Sequence, residues 1–299
     1  MQKNLKIPIG IIQSAYGSAS AQAFMDRNTL RRDSVLRKKY LDPYDANPNE
    51  KIPVLRPTLI YNAMIHPIIN YSIKGFLWYQ GESNAGDINL YSKLNIALIR
   101  QWRHDFNNKF MPFYYVQMTP YNWKKTDSLD YNYALFRETQ EKILNEPHTQ
   151  MVTTMDVGEP DNIHPRNKKA VGERLANFAL YDNYKFLTSP YGPSYSSLEI
   201  KGKYIYVNFR KNSVTNGLIT SDGLSPRHFF IAGKDKVFRP ALATIINNKI
   251  KLYSDSVSNP IAVRYAFTNF PETNLQNKIG LPAYPFRTDT WKDTQILKK

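Results

Sequence analysis

The stretch that most limits how this chain can fold is Gly75-Phe76-Leu77-Trp78-Tyr79, an apolar run that stops abruptly at Gln80-Gly81-Glu82-Ser83-Asn84. A short apolar run bounded by glycine predicts a buried strand. From Leu90 to Phe106, apolar residues at Leu90, Leu94, Ala97, Leu98 and Trp102 are separated by charges at the spacing of one helical face. The polar turn therefore joins the carboxyl end of a strand to a helix, and open α/β sheets bind their ligands at such turns.

The rest of the chain extends this pattern. Ile7 to Ile12 predicts a strand, followed by a turn of small residues and a short helix over Ala21 to Met25. Pro43 to Pro57 reads as a loop and Leu59 to Ile69 as a helix. Strands over Phe110 to Met118 and Met151 to Asp156 bracket a helix over Tyr131 to Glu146, and a further helix covers Lys168 to Tyr184. Alternating strands and helices imply a parallel sheet with helices on both faces. Beyond Pro190-Tyr191-Gly192-Pro193 the pattern changes to short strands over 203–209, 229–231, 242–246, 249–253 and 262–266. Asn247-Asn248 between two of them suits a tight hairpin, because Asn tolerates positive φ. The expected organisation is an α/β domain over residues 1–189 and a β-rich region over 190–299.

Composition excludes several function classes. With 42% hydrophobic and 22% charged residues the 299-residue chain is ordinary globular material. It has no cysteine, so thiol catalysis, disulfides and thiolate metal sites are ruled out. The net charge of +15 is scattered, without a zinc-finger or RNA-binding signature, which predicts a solvated basic surface rather than a nucleic-acid partner. No stretch approaches the ~18 consecutive apolar residues of a membrane span, and Met1 to Pro8 lacks the apolar core of a signal peptide. His66, His104, His148 and His228 show no mutual metal-ligand spacing.

Four blocks, in order, carry a family resemblance: Arg56 to Met64, Trp78 to Asn84, Ile163 to Lys168 and Gly280 to Asp289. They resemble the sialate O-acetylesterase family, a branch of the SGNH hydrolases. The resemblance spans nearly the whole chain. It implies an SGNH-like three-layer α/β/α fold with a parallel sheet and a C-terminal β-rich region. It also implies hydrolysis of acetyl esters on sugars, with an acetylated carbohydrate as partner and no cofactor or metal. Such proteins are usually exported, so the resemblance suggests a periplasmic or secreted location.

An acyl-transfer hydrolase needs a nucleophile, a base, a group that orients the base, and donors aimed at the developing oxyanion. By the resemblance, Gly17 in Gln13-Ser14-Ala15-Tyr16-Gly17 supplies a backbone N–H to the oxyanion, although Ser18 stands where relatives have a second glycine. Read alone, Gly17 better suits a plain tight turn, and its place in the ordered set of motifs reverses that preference. Asn84 supplies the second oxyanion donor by the same resemblance; alone, it reads as a helix cap. Asp161-Asn162-Ile163-His164 has the spacing with which the superfamily places an orienting carboxylate, Asp161, beside its base, His164. The family's nucleophile lies in a Gly-Gln-Ser-Asn-Met block upstream of the glycine block, and no such sequence occurs in the chain. The expectation is an esterase domain shortened at its start and lacking its nucleophile, or a non-catalytic glycan-binding remnant. Ser83 and Ser14 read as structural turn residues, and Ser83 sits beside the oxyanion donor rather than opposite it.

Overall fold

The computed structural model describes residues 1–47, 55–122, 131–292 and 295–296. The chain divides into two compact units, residues 1–118 with 139–152 and residues 119–138 with 153–299. The fold is α/β, a parallel three-stranded sheet with flanking helices, followed by antiparallel β-structure. Among the described residues no helix is long and apolar enough to cross a membrane.

In the first unit, strands β1 (Phe76–Trp78), β2 (Phe113–Val116) and β3 (Thr149–Val152) pair in parallel in that order. Register sets Phe76 beside Phe113 and Tyr115 beside Met151. β2 is buried at every position, as a central parallel strand requires. β1 instead alternates: Phe76 and Trp78 point inward while Leu77 is 60% exposed, so the strand is only half buried.

A short helix α1 (Arg27–Arg32) opens with Asp26, whose carboxylate accepts from the Asn28 and Thr29 amides. Helix α2 (Tyr91–Asp105) buries Tyr91, Leu94, Leu98 and Trp102, one stripe of its surface. Trp102 closes an aromatic cluster, with ring centroids 5.1 Å from Phe76, 5.5 Å from Trp78 and 6.1 Å from Phe113. Its indole N–H donates to the Phe24 carbonyl at 3.0 Å, which ties down the short 3-10 turn Ala21–Phe24. At the other end of α2, buried Arg103 donates to the carbonyls of Met111, Pro147 and His148. Helix and strand ends are thereby stapled together.

Several expectations fail in instructive ways. Ile7 to Ile12 forms no strand: Ile7, Ile9, Ile11 and Ile12 are all exposed, Ile11 by 85%. A strand needs a neighbour to take its backbone groups, and among the described residues none pairs with this segment. The helix expected from Leu59 is irregular, with a π-wound turn Tyr61–Ile65 followed by a 3-10 turn His66–Ile68 that contains Pro67. Part of the loop expected over Pro43 to Pro57 is helical, Asp42–Ala46, and residues 48–54 of it lie outside the described residues.

Helix α3 (Asn132–Glu141) ends in a 3-10 turn, and helix α4 (Lys168–Tyr184) has the bounds that its periodicity predicts. In the second unit, strands β4 (Tyr195–Lys201), β5 (Tyr204–Phe209), β10 (Lys249–Tyr253) and β9 (Leu242–Ile246) form one antiparallel sheet in the order β4-β5-β10-β9. Asn247 and Asn248 turn the β9–β10 hairpin with φ of 51° and 62°, the left-handed pair such a two-residue loop requires. Strands β7 (Phe229–Ala232), β8 (Val237–Pro240), β11 (Ala262–Tyr265), β13 (Phe286–Arg287) and β14 (Gln295–Ile296) make a second sheet, and β6 (Leu218–Thr220) pairs with β12 (Leu275–Asn277). Ile205, Val207, Phe229, Ile231, Ile250, Leu252, Val263 and Tyr265 share one core.

The Gly280 to Asp289 block holds this β-core together. Gly280 sits at φ +82°, and the Ala283 and Tyr284 amides donate to the carbonyls of Leu275 and Pro193. The Phe286 ring stacks on Tyr195 at 4.7 Å. Arg287 grips Glu138 with two hydrogen bonds of 2.7 and 2.8 Å, and Asp289 grips Arg264 at 2.9 and 2.8 Å.

Candidate active site

The turn after β1 is a 3-10 turn, Glu82–Asn84, leading toward α2. Asn84, its last residue, is buried. Its Oδ1 accepts from the Ala21 backbone N–H at 2.8 Å and from Gln80 Nε2 at 2.9 Å. The Ala21 amide can only donate, so the side chain cannot be flipped, and Nδ2 must face Gln22 Oε1 (3.1 Å) and Asp87 Oδ2 (3.3 Å). Gln80 is fixed in turn: it donates to the Ala19 carbonyl at 3.2 Å, and the Tyr91 hydroxyl lies 2.9 Å from its Oε1 and 2.8 Å from its backbone oxygen. Burial pushes the Tyr91 phenol well above its ordinary pKa, so it remains a neutral donor. The result is an amide held rigidly, with its two N–H bonds on one side and both donors engaged, the contact to Asp87 being the longer.

The Gly17 turn lies against this one. The Ser83 hydroxyl donates to the Ser18 carbonyl at 2.8 Å, and Ala21, four residues beyond Gly17, is the donor to Asn84. Gly17 is exposed and its N–H donates to no group among the described residues. Ser18 adopts φ +61°, a left-handed conformation that glycine takes freely and other residues take at a cost. Glycine at this position would remove that cost. Gly17 and Asn84 are thus brought together, with Ser83 serving as the tie between their turns.

Asp161 and His164 belong to the second unit, in the exposed loop before α4. Among the described residues their side chains make no hydrogen bond to one another or to other groups. The loop is organised instead by Glu159, which accepts from Asn162 Nδ2 at 3.2 Å and from the Arg166 amide at 2.7 Å and guanidinium at 3.3 Å. These bonds hold the Glu159 carboxyl below its usual range. The His164 amide donates to Asn162 Oδ1 at 2.9 Å. At the start of the segment Arg174 of α4 donates to the Thr153 carbonyl and both Asp156 oxygens at 2.9, 2.7 and 2.5 Å. Gly158 passes so close to Pro120 that an added Cβ would stand 2.5 Å from its carbonyl oxygen.

Sequence reasoning missed Gln22, Asp87 and Tyr91, which hold Asn84, and Glu159, which shapes the histidine loop. Asp87 and Tyr91 carry a signal only once Asn84 is known, since residues three and seven positions further along fall back onto the turn.

Residues 1–181 match the family model described as "Carbohydrate esterase, sialic acid-specific acetylesterase". The chain belongs to this esterase family. Sialate O-acetylesterases of Pongo abelii and Homo sapiens are both 29% identical to it over 94% of the chain, and that of Mus musculus is 32% identical over 57%. The chain spans 57% of the length of the first two relatives. A carbohydrate acetylesterase from Xanthomonas citri, known from its crystal structure, superposes with a TM-score of 0.83 at 35% identity over 97% of this chain and 63% of that one.

A groove of about 1320 Å³ also runs along α2 in the first unit, lined by Asp26, Tyr61, Lys93, Arg100, Gln101 and Asp105. None of the predicted site residues lines it.

Proposed function

We propose that this chain carries the oxyanion-binding and base-bearing parts of an esterase that removes O-acetyl groups from sugars. The observation that carries the reading is the Asn84 amide, fixed by Ala21 N–H and Gln80 before any substrate arrives. Donors that need no reorganisation as charge develops are what stabilises a tetrahedral oxyanion, and losing one costs on the order of 100-fold or more in rate. On this reading Gly17 N–H and Asn84 Nδ2 bind the oxyanion, the oxyanion displacing Asp87 from Nδ2. His164 is the base and Asp161 its orienting carboxylate.

The Gly-Gln-Ser-Asn-Met block does not occur in these 299 residues. The chain alone should then show only the ~10³–10⁴-fold residual over water that binding and an oxyanion hole supply without a nucleophile. Joining a segment that carries the block should restore turnover of aryl acetates, and His164→Ala should then abolish it. Robust hydrolysis by the unextended chain that disappears in Ser83→Ala would overturn this reading and make Ser83 the nucleophile. Its bond to the Ser18 carbonyl argues for a structural role.

A sialic acid ester is the first substrate to test, on the family's description. The higher identity to the Xanthomonas carbohydrate acetylesterase supports a second candidate, an acetylated polysaccharide such as xylan. Acetate release from the two substrates, measured side by side, separates them.

A further inference from the structure

The sheet β4-β5-β10-β9 turns Ile205, Val207, Ile250 and Leu252 into its core and the alternate residues outward. Register builds the outward face in rows. Glu199 pairs with Tyr206, Tyr206 with Lys251 and Lys251 with Thr244; in the next row Lys201 pairs with Tyr204, which lies beside Tyr253. Lysines and tyrosines interleave across it. Lys251 Nζ stands 4.0 Å from the Tyr204 ring centre, Lys203 Nζ 4.6 Å from Tyr253, and Lys201 Nζ 5.4 Å from Tyr206, while the Tyr204 and Tyr253 rings are 5.5 Å apart.

Four lysines, Lys201, Lys203, Lys249 and Lys251, thus meet one acid, Glu199, which is already engaged by Lys249 at 2.8 Å and Lys201 at 3.6 Å. A solvated sheet face with no partner gains from mixing signs across its strands, since like charges directly opposite repel. Here the excess ammonium charge is held flat by the rings beneath it. Neighbouring strands lie about 4.8 Å apart and alternate side chains about 6.8 Å apart along a strand, so the positive groups form a shallow lattice rather than a pocket. A lattice of this kind complements an extended chain that bears a regular series of negative charges and has sugar C–H faces to lie against tyrosine.

We infer that this face docks a linear carboxylated polysaccharide. The choice of a glycan over another polyanion rests on the carbohydrate esterase reading above; the charge and the aromatic lattice stand without it. The face would hold the polymer while the ester chemistry proceeds elsewhere on the chain.

Native gels containing polygalacturonate test the idea, with neutral xylan as reference. Polygalacturonate carries no acetyl ester, so retention does not depend on hydrolysis, and a failure of the esterase reading would leave it unchanged. The chain should be retarded by polygalacturonate and not by xylan. K201Q/K203Q/K251Q should raise the apparent Kd about tenfold or more, and Tyr204→Ala should raise it several-fold. A control with the same charge loss on the first unit, K3Q/K6Q/K109Q, should keep most of the retention, and circular dichroism melts should show that the lysine variants fold. Absence of retardation, equal retention of the two triple variants, or equal binding of duplex DNA with the same salt slope would each overturn the proposal.

Discussion

The backbone N–H of Ala21 donates to Asn84 Oδ1 at 2.8 Å, although 63 positions separate the two residues in the chain. This bond turns a common turn residue into a directed donor, because it decides which way the amide points. Asn84→Leu would leave the Ala21 N–H, Gln80 Nε2 and Gln22 Oε1 buried around an apolar group. Unsatisfied buried groups cost ~1–3 kcal/mol each, and partial relaxation brings the expected loss to about 2–4 kcal/mol. Urea unfolding of the variant should show it; a loss under about 0.5 kcal/mol would mean that the network does not hold the turn.

Ser18 at φ +61° occupies a conformation that costs a non-glycine residue ~1–2 kcal/mol. Glycine removes that cost but brings more freedom to the unfolded chain, offsetting ~0.5–1 kcal/mol. Ser18→Gly should therefore stabilise the protein by about 0.5 kcal/mol, and Ser18→Val should destabilise it, since branched side chains tolerate positive φ least. Melting temperatures ordered Gly above Ser above Val are the expected result, and the reverse order would count against the turn geometry.

What the sequence makes legible follows from which interactions are local. Helix Lys168–Tyr184 and the Asn247-Asn248 hairpin are legible because periodicity and turn chemistry act over a few residues. Ile7 to Ile12 misleads because apolar composition reports a preference for burial, not the presence of a neighbouring strand. Strand β4 escapes notice because its side chains are half-exposed or exposed throughout. The blocks around Asn84 and Asp289 are recognisable as motifs, yet their work is not, since Asp289 grips a partner 25 positions away and Arg287 one 149 away. The Asp161–His164 spacing is visible in sequence, whereas the carboxylate that orders that loop, Glu159, becomes visible only in three dimensions.

Gly158 and Gly172 make a matched pair. A Cβ at Gly158 would lie 2.5 Å from the Pro120 carbonyl oxygen, whereas at Gly172, inside α4, nothing lies within 4 Å. Gly158→Ala should cost about 1–3 kcal/mol through overpacking and disturb the loop that bears His164. Gly172→Ala should stabilise by about 0.5–1 kcal/mol through helix propensity. Differential scanning calorimetry of both variants checks the contrast, which fails if the two shift in the same direction.

Glu199 on the outward sheet face accepts hydrogen bonds from Lys249 and Asn208, which pull its pKa down to about 2 from an ordinary value of 4.5. A depressed carboxyl stabilises the fold above its unfolded pKa, because there the unfolded chain gains nothing by binding a proton. That contribution is therefore present at neutral pH and lost as pH falls from about 4.5 toward 2. The stability gap between wild type and Glu199→Gln should shrink across this window; a gap that widens on acidification would contradict the assignment.

Arg264 and Asp289 form a bidentate pair with only 1% of either side chain exposed, and the guanidinium also lies 4.1 Å from the Phe238 ring centre. Removing one partner from a buried pair strands the other charge, which costs ~3–5 kcal/mol, whereas replacing both by apolar groups of similar volume is often neutral or favourable. Asp289→Ala should lower stability by about that amount, and more than Arg287→Ala, since Arg287 and Glu138 are partly exposed to water. Arg264→Met combined with Asp289→Leu should recover most of the loss in guanidinium unfolding. If the double variant is as unstable as Asp289→Ala alone, the pair is required for positioning the Gly280 to Asp289 block rather than for neutralising charge, and its hydrogen bonds rather than its electrostatics hold the β-core.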